Sequence, residues 1–307
     1  MSDLILHHYD TSPYAEKARL IFGLKGLPWK SVVIPLIMPK PDLMPLTGGY
    51  RRTPVMQIGA DVYCDTECIA AEIERRHPTP TLFPGGSRSL SDVMSGWVAS
   101  ALFPSAVGFS FSTNADRLPI ELLQDRHAMR GVDQVHLDRI KAAGPRHLDR
   151  LRSLLAIVDG GLSNGKAFLS GNQAGLVDFS LYHSLWFVNR GGKRVAAALE
   201  PFKHAAAWMQ RVAAIGHGQR AELPSADALK IAKDAKPAGG ETVDPSNALE
   251  LKAGDRITVT TEDTGRDPTE GTLVGLTAER VTIRRNEPSV GEVAVHFPRV
   301  GYAIRKL

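Results

Sequence analysis

Hydrophobic periodicity changes twice along this chain of 307 residues, and these changes constrain the fold more than any single residue does. Up to about residue 84, short apolar runs typical of strands alternate with two segments of helical spacing. From Ser91 to about Ala221, apolar residues recur three and four positions apart, as in amphipathic helices. After residue 247, five short runs with strand-like alternation are separated by turns that contain Gly, Pro and Asp.

The pattern predicts a multidomain chain, which suits its length. Residues 1–84 have the order β-α-β followed by β-β-α and form an α/β domain. Residues 91–221 form an all-α helical bundle, and residues 247–307 form an independently folded small β-barrel of SH3-like size. The Pro-, Gly- and Ser-rich stretch 79–90 is typical of a linker, and residues 224–247 predict a partly helical, partly flexible second linker.

Composition and the distribution of charge narrow the class of function. Hydrophobic residues make up 43% and charged residues 23%, as in soluble globular proteins. The net charge is only +4, and both the first 84 residues and residues 247–307 carry nine basic and nine acidic side chains. This even distribution argues against nucleic acid as a partner.

The sequence also predicts where the protein works. We see no signal peptide at the N-terminus, and the longest apolar candidate, Val93 to Phe111, is interrupted by Ser, Gly and Pro, so we expect no membrane span. The two cysteines, Cys64 and Cys68, cannot form a secreted-type disulfide framework and are a poor metal site. We therefore expect a cytoplasmic protein without a bound metal.

The segment that follows the first apolar run can create a site for an anion. It reads Ser12-Pro13-Tyr14-Ala15-Glu16-Lys17-Ala18-Arg19, and Ser12 or Thr11 can cap a helix that Pro13 opens. The free N–H groups and the partial positive charge of a helix N-terminus favour a thiolate. Ser12 therefore either takes part in the chemistry of a bound thiol or serves only as a helix cap.

Four segments together resemble the glutathione transferase family over residues 1–220. They are the Ser12–Arg19 segment, Arg51-Arg52-Thr53-Pro54-Val55, Asp65-Thr66 with Cys68, Ile69 and Ile73, and Phe168-Leu169-Ser170-Gly171-Asn172 with Leu176-Val177-Asp178. The resemblance implies a thioredoxin-like glutathione-binding domain followed by a helical domain. The sequence departs from the family pattern at two places: Asp65-Thr66 stand where the family has Glu-Ser, and Gly175 stands at the helix-cap position where the family has Ser or Thr.

The resemblance also implies roles for individual residues. Ser12 is then the catalytic group that hydrogen-bonds the glutathione sulfur, although Thr11 or Tyr9 remains an alternative. Pro54 is expected to be cis, with the Thr53 backbone pairing with the cysteinyl part of glutathione.

The ends of glutathione have their own candidates. Asp65 and Thr66 are expected to receive the γ-glutamyl ammonium and carboxylate. Lys40 and Arg52, ahead of Arg51, are candidates for the glycyl carboxylate.

The function implied is that of a homodimeric, serine-type glutathione transferase, with glutathione as co-substrate and a small electrophile as substrate. A non-catalytic binding or scaffold protein on the same fold is the alternative, and a glutathione-dependent reductase would require Cys at position 12. The aromatic residues Trp97, Phe103, Phe109 and Phe111 either line the pocket for the electrophile or are plain core. We expect the barrel to modulate or recruit, so that a chain ending near Ala235 keeps glutathione binding.

Overall fold

A computed structural model describes residues 3–86 and 88–307. Met1, Ser2 and Ser87 lie outside the described residues, the last of them within the predicted linker 79–90.

The N-terminal part has the predicted order of elements. It comprises β1 (Ile5–His8), α1 (Pro13–Leu24), β2 (Pro28–Val33), the short α2 (Met44–Thr47), β3 (Val55–Ile58), β4 (Asp61–Cys64) and α3 (Thr66–Arg76). Strand β1 pairs in parallel with β2 and antiparallel with β3, and β3 pairs antiparallel with β4. This is the thioredoxin-like arrangement that the sequence predicts.

A helical domain follows. Its helices are α4 (Arg88–Trp97), α5 (Phe103–Asn114), α6 (Ile120–Ala128), α7 (Leu137–Ala142), α8 (Gly144–Gly161), α9 (Leu176–Arg190), α10 (Lys193–Ala196) and α11 (Lys203–Ala213). A π-helical turn, Val98–Leu102, joins α4 to α5.

The predicted glycine cap of α9 does form. Gly175 precedes the helix, and its N–H donates to the Asp178 carboxylate at 3.0 Å. The same buried carboxylate accepts from the Trp208 indole at 2.8 Å and from the backbone of Leu169 at 2.8 Å. Asp178 therefore ties the start of α9 to its surroundings without any hydroxyl at the cap position.

Among the described residues, one helical run is long and apolar enough, by length and composition, to cross a membrane. This run, Arg88–Asn114, is 27 residues long, and 39% of its most apolar window is buried inside the fold. It packs against α8 and α9, so it is a partly buried core helix of the helical domain.

The rest of the chain returns to the first domain. Its elements are β5 (Gln219–Glu222), α12 (Ser225–Asp234), β6 (Arg256–Thr261), β7 (Thr269–Leu276), β8 (Arg280–Glu287), β9 (Gly291–Pro298) and β10 (Tyr302–Lys306). Strand β5 pairs in parallel with β2, and α12 is the helical part of the predicted second linker.

The prediction of a separate barrel is wrong. Strand β9 pairs in parallel with β4, in the register Asp61↔Ala294 and Tyr63↔His296, so a single ten-stranded sheet runs β10-β6-β7-β8-β9-β4-β3-β1-β2-β5. No closed barrel forms among the described strands. The physical reason is that β4 has a free edge, and the unpaired N–H and C=O groups of an edge bind any strand that fits.

The C-terminal strands share a hydrophobic core with the thioredoxin-like domain. Val55 and Val62 pack in one cluster with Val293, Val295 and Phe297, and each of these side chains is at most 1% exposed. Burying such a side chain contributes about 1.5–3 kcal/mol. The C-terminal strands are therefore an integral part of the sheet and of its core.

Polar contacts reinforce the joint between β4 and β9. The buried imidazole of His296 bonds to Asp61 through Nε2 at 2.9 Å and to the Thr282 hydroxyl through Nδ1 at 3.0 Å. Its ring stacks on Tyr63, with centroids 4.5 Å apart. These contacts satisfy polar groups that would be costly to bury without partners.

Candidate functional site

Ser12 lies at the N-terminus of α1, as the sequence predicts. Its backbone is extended, its side chain is 2% exposed, and its Oγ accepts a hydrogen bond from the Ala15 N–H at 3.1 Å. A hydroxyl has one hydrogen to donate and two acceptor positions. The cap uses one acceptor position, so capping and donation to a ligand are compatible roles for Ser12.

The alternative hydroxyls differ in position. Thr11 is exposed, whereas Tyr9 is half-buried and its hydroxyl bonds to Ser12 and to the Arg126 guanidinium, the latter at 3.3 Å. Burial raises the pKa of Tyr9, opposed by the nearby charge of Arg126 and by the hydrogen bonds with Ser12 and Arg126. Tyr9 is thus a protonated donor beside Ser12, and both remain candidates for contact with a thiolate.

The peptide bond between Thr53 and Pro54 is cis, as predicted, and it directly precedes β3. The Lys40 ammonium lies beside it and donates to the Thr53 hydroxyl at 3.1 Å and to the Arg51 carbonyl at 2.8 Å. The same ammonium is 5.9 Å from the centre of the Tyr9 ring. The fold therefore brings together Lys40, Thr53 and the hydroxyl candidates at α1.

Lys40 differs from the other basic candidates in having no acidic partner. Arg51 is paired with Asp125, and Arg52 is paired with Asp263. Within residues 3–86 and 88–307, no carboxylate lies at ion-pair distance from the Lys40 ammonium, which is 4% exposed. Burial, together with the positive charges of Arg126 and Arg51, lowers the pKa of Lys40 to about 8.

This difference separates the predicted carboxylate ligands. Lys40 is available to an anion, whereas Arg52 is already occupied by Asp263 and by the Thr264 carbonyl, to which its Nε donates at 2.9 Å. Both partners of Arg52 lie in the loop between β6 and β7. The sequence offered no signal for this contact because more than 200 residues separate Arg52 from that loop.

Asp65 and Thr66 lie at the N-terminus of α3. Thr66 is the first helical residue and is buried, and Asp65 caps the helix by accepting the Glu67 N–H at 3.1 Å. The Asp65 backbone has φ 76° and ψ 145°, a conformation that costs a non-glycine residue about 1–3 kcal/mol. Such strain occurs preferentially at functional sites.

The second oxygen of the Asp65 carboxylate has a partner that sequence reasoning missed. The Tyr302 hydroxyl of β10 donates to Oδ2 of Asp65 at 2.9 Å. Tyr302 is 4% exposed and packs against Tyr50 and Phe297. The C-terminal strands therefore contact two predicted glutathione ligands, Asp65 and Arg52.

Aromatic side chains lie next to the start of α1. The Tyr14 ring is 4.9 Å from Phe103 and 4.5 Å from His183, and Phe103 also contacts Phe187. Burial raises the pKa of Tyr14, and the charge of Asp65 raises it further. Of the predicted aromatic residues, Phe103 therefore joins the α1 side of the site.

The other predicted aromatic residues divide between core and periphery. Phe109 is 8% exposed and belongs to the helical core, and the partly buried Trp97 packs against that core. Phe111 contacts Phe187, with ring centroids 6.4 Å apart.

Two further groups of side chains could in principle react or bind a metal. Cys64 and Cys68 are buried free thiols, and burial raises the pKa of both. Asp61, Glu241 and His296 place possible metal-ligand atoms within 4.8 Å of one another. Because Asp61 and His296 bond directly to each other, the hydrogen-bonded joint between β4 and β9 already accounts for this pair.

Comparison with known proteins identifies related sequences and folds. Residues 6–81 match the family model of the glutathione S-transferase N-terminal domain, and residues 127–215 match that of the C-terminal domain. No curated protein matches the chain.

Solved structures agree with these matches. A GST-like protein from Pseudomonas syringae is 37% identical, with a TM-score of 0.78, over 99% of this chain and 100% of that one. A glutathione transferase from Phanerochaete chrysosporium and a Tau class enzyme from mango, Mangifera indica, are each 18% identical, with TM-scores of 0.56 and 0.53. They align with 70% and 69% of this chain and with 98% and 89% of their own, which supports the fold alone.

Proposed function

Because the chain belongs to the glutathione S-transferase family, we propose that it binds glutathione beside Ser12, Thr53 and Asp65 and transfers it to a small electrophile. The observation that carries the proposal is the meeting of three kinds of group around the start of α1. These are a capped helix N-terminus at Ser12, a lysine without an acidic partner at Lys40, and a carboxylate at Asp65 that is carried by a strained backbone.

Each end of glutathione has complementary chemistry in the proposed site. The Asp65 carboxylate and the Thr66 hydroxyl, at the N-terminus of α3, suit the ammonium and carboxylate of the γ-glutamyl group. The cis peptide before Pro54 places the Thr53 backbone at the start of β3, where it would pair with the cysteinyl part. Lys40 is our first choice for the glycyl carboxylate, ahead of Arg52, because Arg52 already has a carboxylate partner.

The proposed chemistry is activation of the thiol by a hydrogen bond at α1. A thiol with a pKa of about 8.5 is only ~3% ionised at pH 7, and lowering its pKa by about 2 raises the thiolate fraction roughly 25-fold. That change requires ~2.7 kcal/mol, which a hydrogen bond from Ser12 together with the helix N-terminus can supply. The thiolate then attacks an electrophilic carbon, the C–S bond forms, and the leaving group departs with the bonding electron pair.

We further propose that the electrophile packs near Tyr14 and Phe103, the aromatic pair beside the start of α1.

Homodimerisation is supported by the exposed apolar side chains of Leu90 and Val93 on α4, which are 59% and 68% exposed. A cytoplasmic location is supported by the two cysteines, which are free although they lie only four residues apart.

Glutathione binding measured by calorimetry, followed by turnover with a panel of electrophiles, tests the proposal. In the Ser12→Ala variant, we expect the pKa of bound glutathione to rise and turnover to fall, with binding mostly retained. Loss of a cap alone would cost about 1 kcal/mol of stability and leave the thiol pKa unchanged. Thiolate absorbance against pH, in the wild type, Ser12→Ala and Tyr9→Phe, identifies which hydroxyl acts.

A non-catalytic binding or scaffold role is the second candidate. The observation in its favour is that Arg52, a predicted ligand of the glycyl carboxylate, is already bound by the C-terminal loop. Binding of glutathione without turnover of any electrophile would support this second function.

A further inference from the structure

We propose that the C-terminal strand β10 completes the glutathione site, with Tyr302 acting as the positioning residue that holds the Asp65 carboxylate toward the ligand. This inference rests on the proposed function. It differs from the expectation that residues 247–307 form a separate module, because it makes them part of the binding site.

The Asp65 carboxylate is held at both oxygens. Oδ1 accepts the Glu67 N–H at 3.1 Å, and Oδ2 accepts the Tyr302 hydroxyl at 2.9 Å. Each carboxylate oxygen has a further lone pair, so both hydrogen bonds are compatible with an ammonium ligand. The two bonds therefore fix the orientation of the side chain while leaving acceptor positions open.

Orientation matters here because Asp65 has an unusual backbone. Its φ of 76° directs the side chain differently from an ordinary helix cap, and such a conformation persists only where the surroundings impose it. The α3 N–H supplies one constraint within the thioredoxin-like domain. The Tyr302 hydroxyl supplies the other from 237 residues away in sequence.

Tyr302 is itself rigidly placed. It pairs with Thr261 in the β10–β6 ladder, and its ring lies 5.6 Å from that of Phe297 and 6.5 Å from that of Tyr50. Burial and the negative charge of Asp65 hold the Tyr302 pKa well above its usual value, so the hydroxyl remains a donor at neutral pH. A fixed donor of this kind reduces the ordering that a ligand must impose when it binds.

A second contact shows that the C-terminal strands meet this region at more than one point. The β6–β7 loop bonds to Arg52 through Asp263 and Thr264, and its Gly265 N–H donates to the Met129 carbonyl at 2.7 Å. The loop thus links the residue before Thr53 to the segment after α6. The C-terminal strands therefore contact the proposed site at two places, Asp65 through β10 and Arg52 through the β6–β7 loop.

Glutathione affinity in a Tyr302→Phe variant tests the inference, since phenylalanine keeps the ring packing and removes only the hydroxyl. We expect Kd to rise roughly three- to tenfold, the effect of losing one such hydrogen bond. The matched control is Tyr63→Phe, which removes a buried hydroxyl of β4 whose partner is Arg76 and not Asp65. This control should leave Kd unchanged.

Two further readouts separate positioning from general destabilisation. If Tyr302 acts through Asp65, the double variant Asp65→Ala/Tyr302→Phe should bind no more weakly than Asp65→Ala alone. In turnover, KM for glutathione should rise while KM for the electrophile stays constant.

The outcomes are distinct. Failure of the wild type to bind glutathione would refute the proposed function itself. Binding by the wild type with an unchanged Kd in Tyr302→Phe, or additive losses in the double variant, would overturn the inference alone. If Tyr302→Phe does not fold, Tyr302→Met is the second variant, and loss of folding in both would make Tyr302 a core residue and overturn the inference as well.

Discussion

Replacing Lys40 with methionine should stabilise the folded protein at neutral pH and weaken its binding of glutathione. Lys40 is 4% exposed, and its ammonium donates to the Arg51 carbonyl and the Thr53 hydroxyl. No carboxylate within the described part of the chain is close enough to form an ion pair with it. A buried charge without a counter-ion destabilises the protein, and such a charge is retained where a ligand will neutralise it.

The magnitude follows from the pKa. Burial lowers the pKa of Lys40 from 10.5 to about 8. A tenfold change in a protonation equilibrium corresponds to about 1.4 kcal/mol, so the charged form is destabilised by about 3 kcal/mol in the folded state. Methionine removes this cost but leaves the Arg51 carbonyl and the Thr53 hydroxyl without their donor, at about 1–2 kcal/mol. We expect a net stabilisation of about 1–2 kcal/mol at pH 7.

The stability difference between the wild type and Lys40→Met should change with pH in a definite direction. Below pH 8, Lys40 is protonated in both the folded and the unfolded states, so the wild type bears the full cost. Between pH 8 and 10.5 the unfolded state binds more protons, and the wild type gains about 1.4 kcal/mol of stability for each pH unit. The advantage of Lys40→Met should therefore disappear by about pH 9.

Urea unfolding at pH 7 and pH 9.5 measures these differences, and calorimetry at pH 7 measures glutathione binding. We expect binding to weaken by about 1.5–3 kcal/mol, the value of a hydrogen bond to a charged group. Lys230→Met, which changes an exposed lysine on α12, is the control and should alter neither property. A Lys40→Met variant that is less stable at pH 7, or whose stability difference is independent of pH, would refute the reasoning.

Three further predictions concern the ligand site and the joined sheet. Asp65→Ala should weaken glutathione binding by about 1.5–3 kcal/mol, and an unchanged Kd in calorimetry would remove Asp65 from the site. His296→Ala should lower the free energy of unfolding by about 1–3 kcal/mol because one oxygen of the buried Asp61 carboxylate loses its partner while the other keeps the Ala238 N–H; the exposed His204→Ala is the control in urea unfolding, and equal effects would contradict the role of the joint. A chain ending at Ala235 exposes the edge of β4 and the shared core, so we expect no cooperative unfolding by circular dichroism, and a folded truncated protein with full glutathione affinity would show that β6–β10 are dispensable.

Local elements were predictable because their causes lie close together in sequence. The second helical segment predicted before residue 84 forms as the helix Thr66–Arg76, and Pro54 is cis in its predicted position. The start of α1 at Pro13, with Ser12 as its cap, also follows from neighbouring residues. Capping, proline geometry and hydrophobic spacing act over a few residues, so the sequence alone indicates them.

The partners of the site residues were not predictable in this way. The order of side-chain types along the chain identifies Arg52 and Asp65 as candidates but contains no sign that Asp263 and Tyr302 contact them. It likewise gives no sign that Lys40 would lack an acidic partner while Arg51 has one. These properties depend on which segments pack together after folding.

By itself, the sequence determined the thioredoxin-like order of elements, the helical domain and the existence of five C-terminal strands. Only the tertiary structure decided that those strands extend the first sheet. Alternating hydrophobicity specifies which face of a strand is buried, but the hydrogen-bonding edge carries no label for its partner. Strand β9 pairs with β4 because the apolar face of β9, with Val295 and Phe297, completes the core that β4 leaves open. The same pairing places the C-terminal strands next to the first domain, where Tyr302 contacts Asp65.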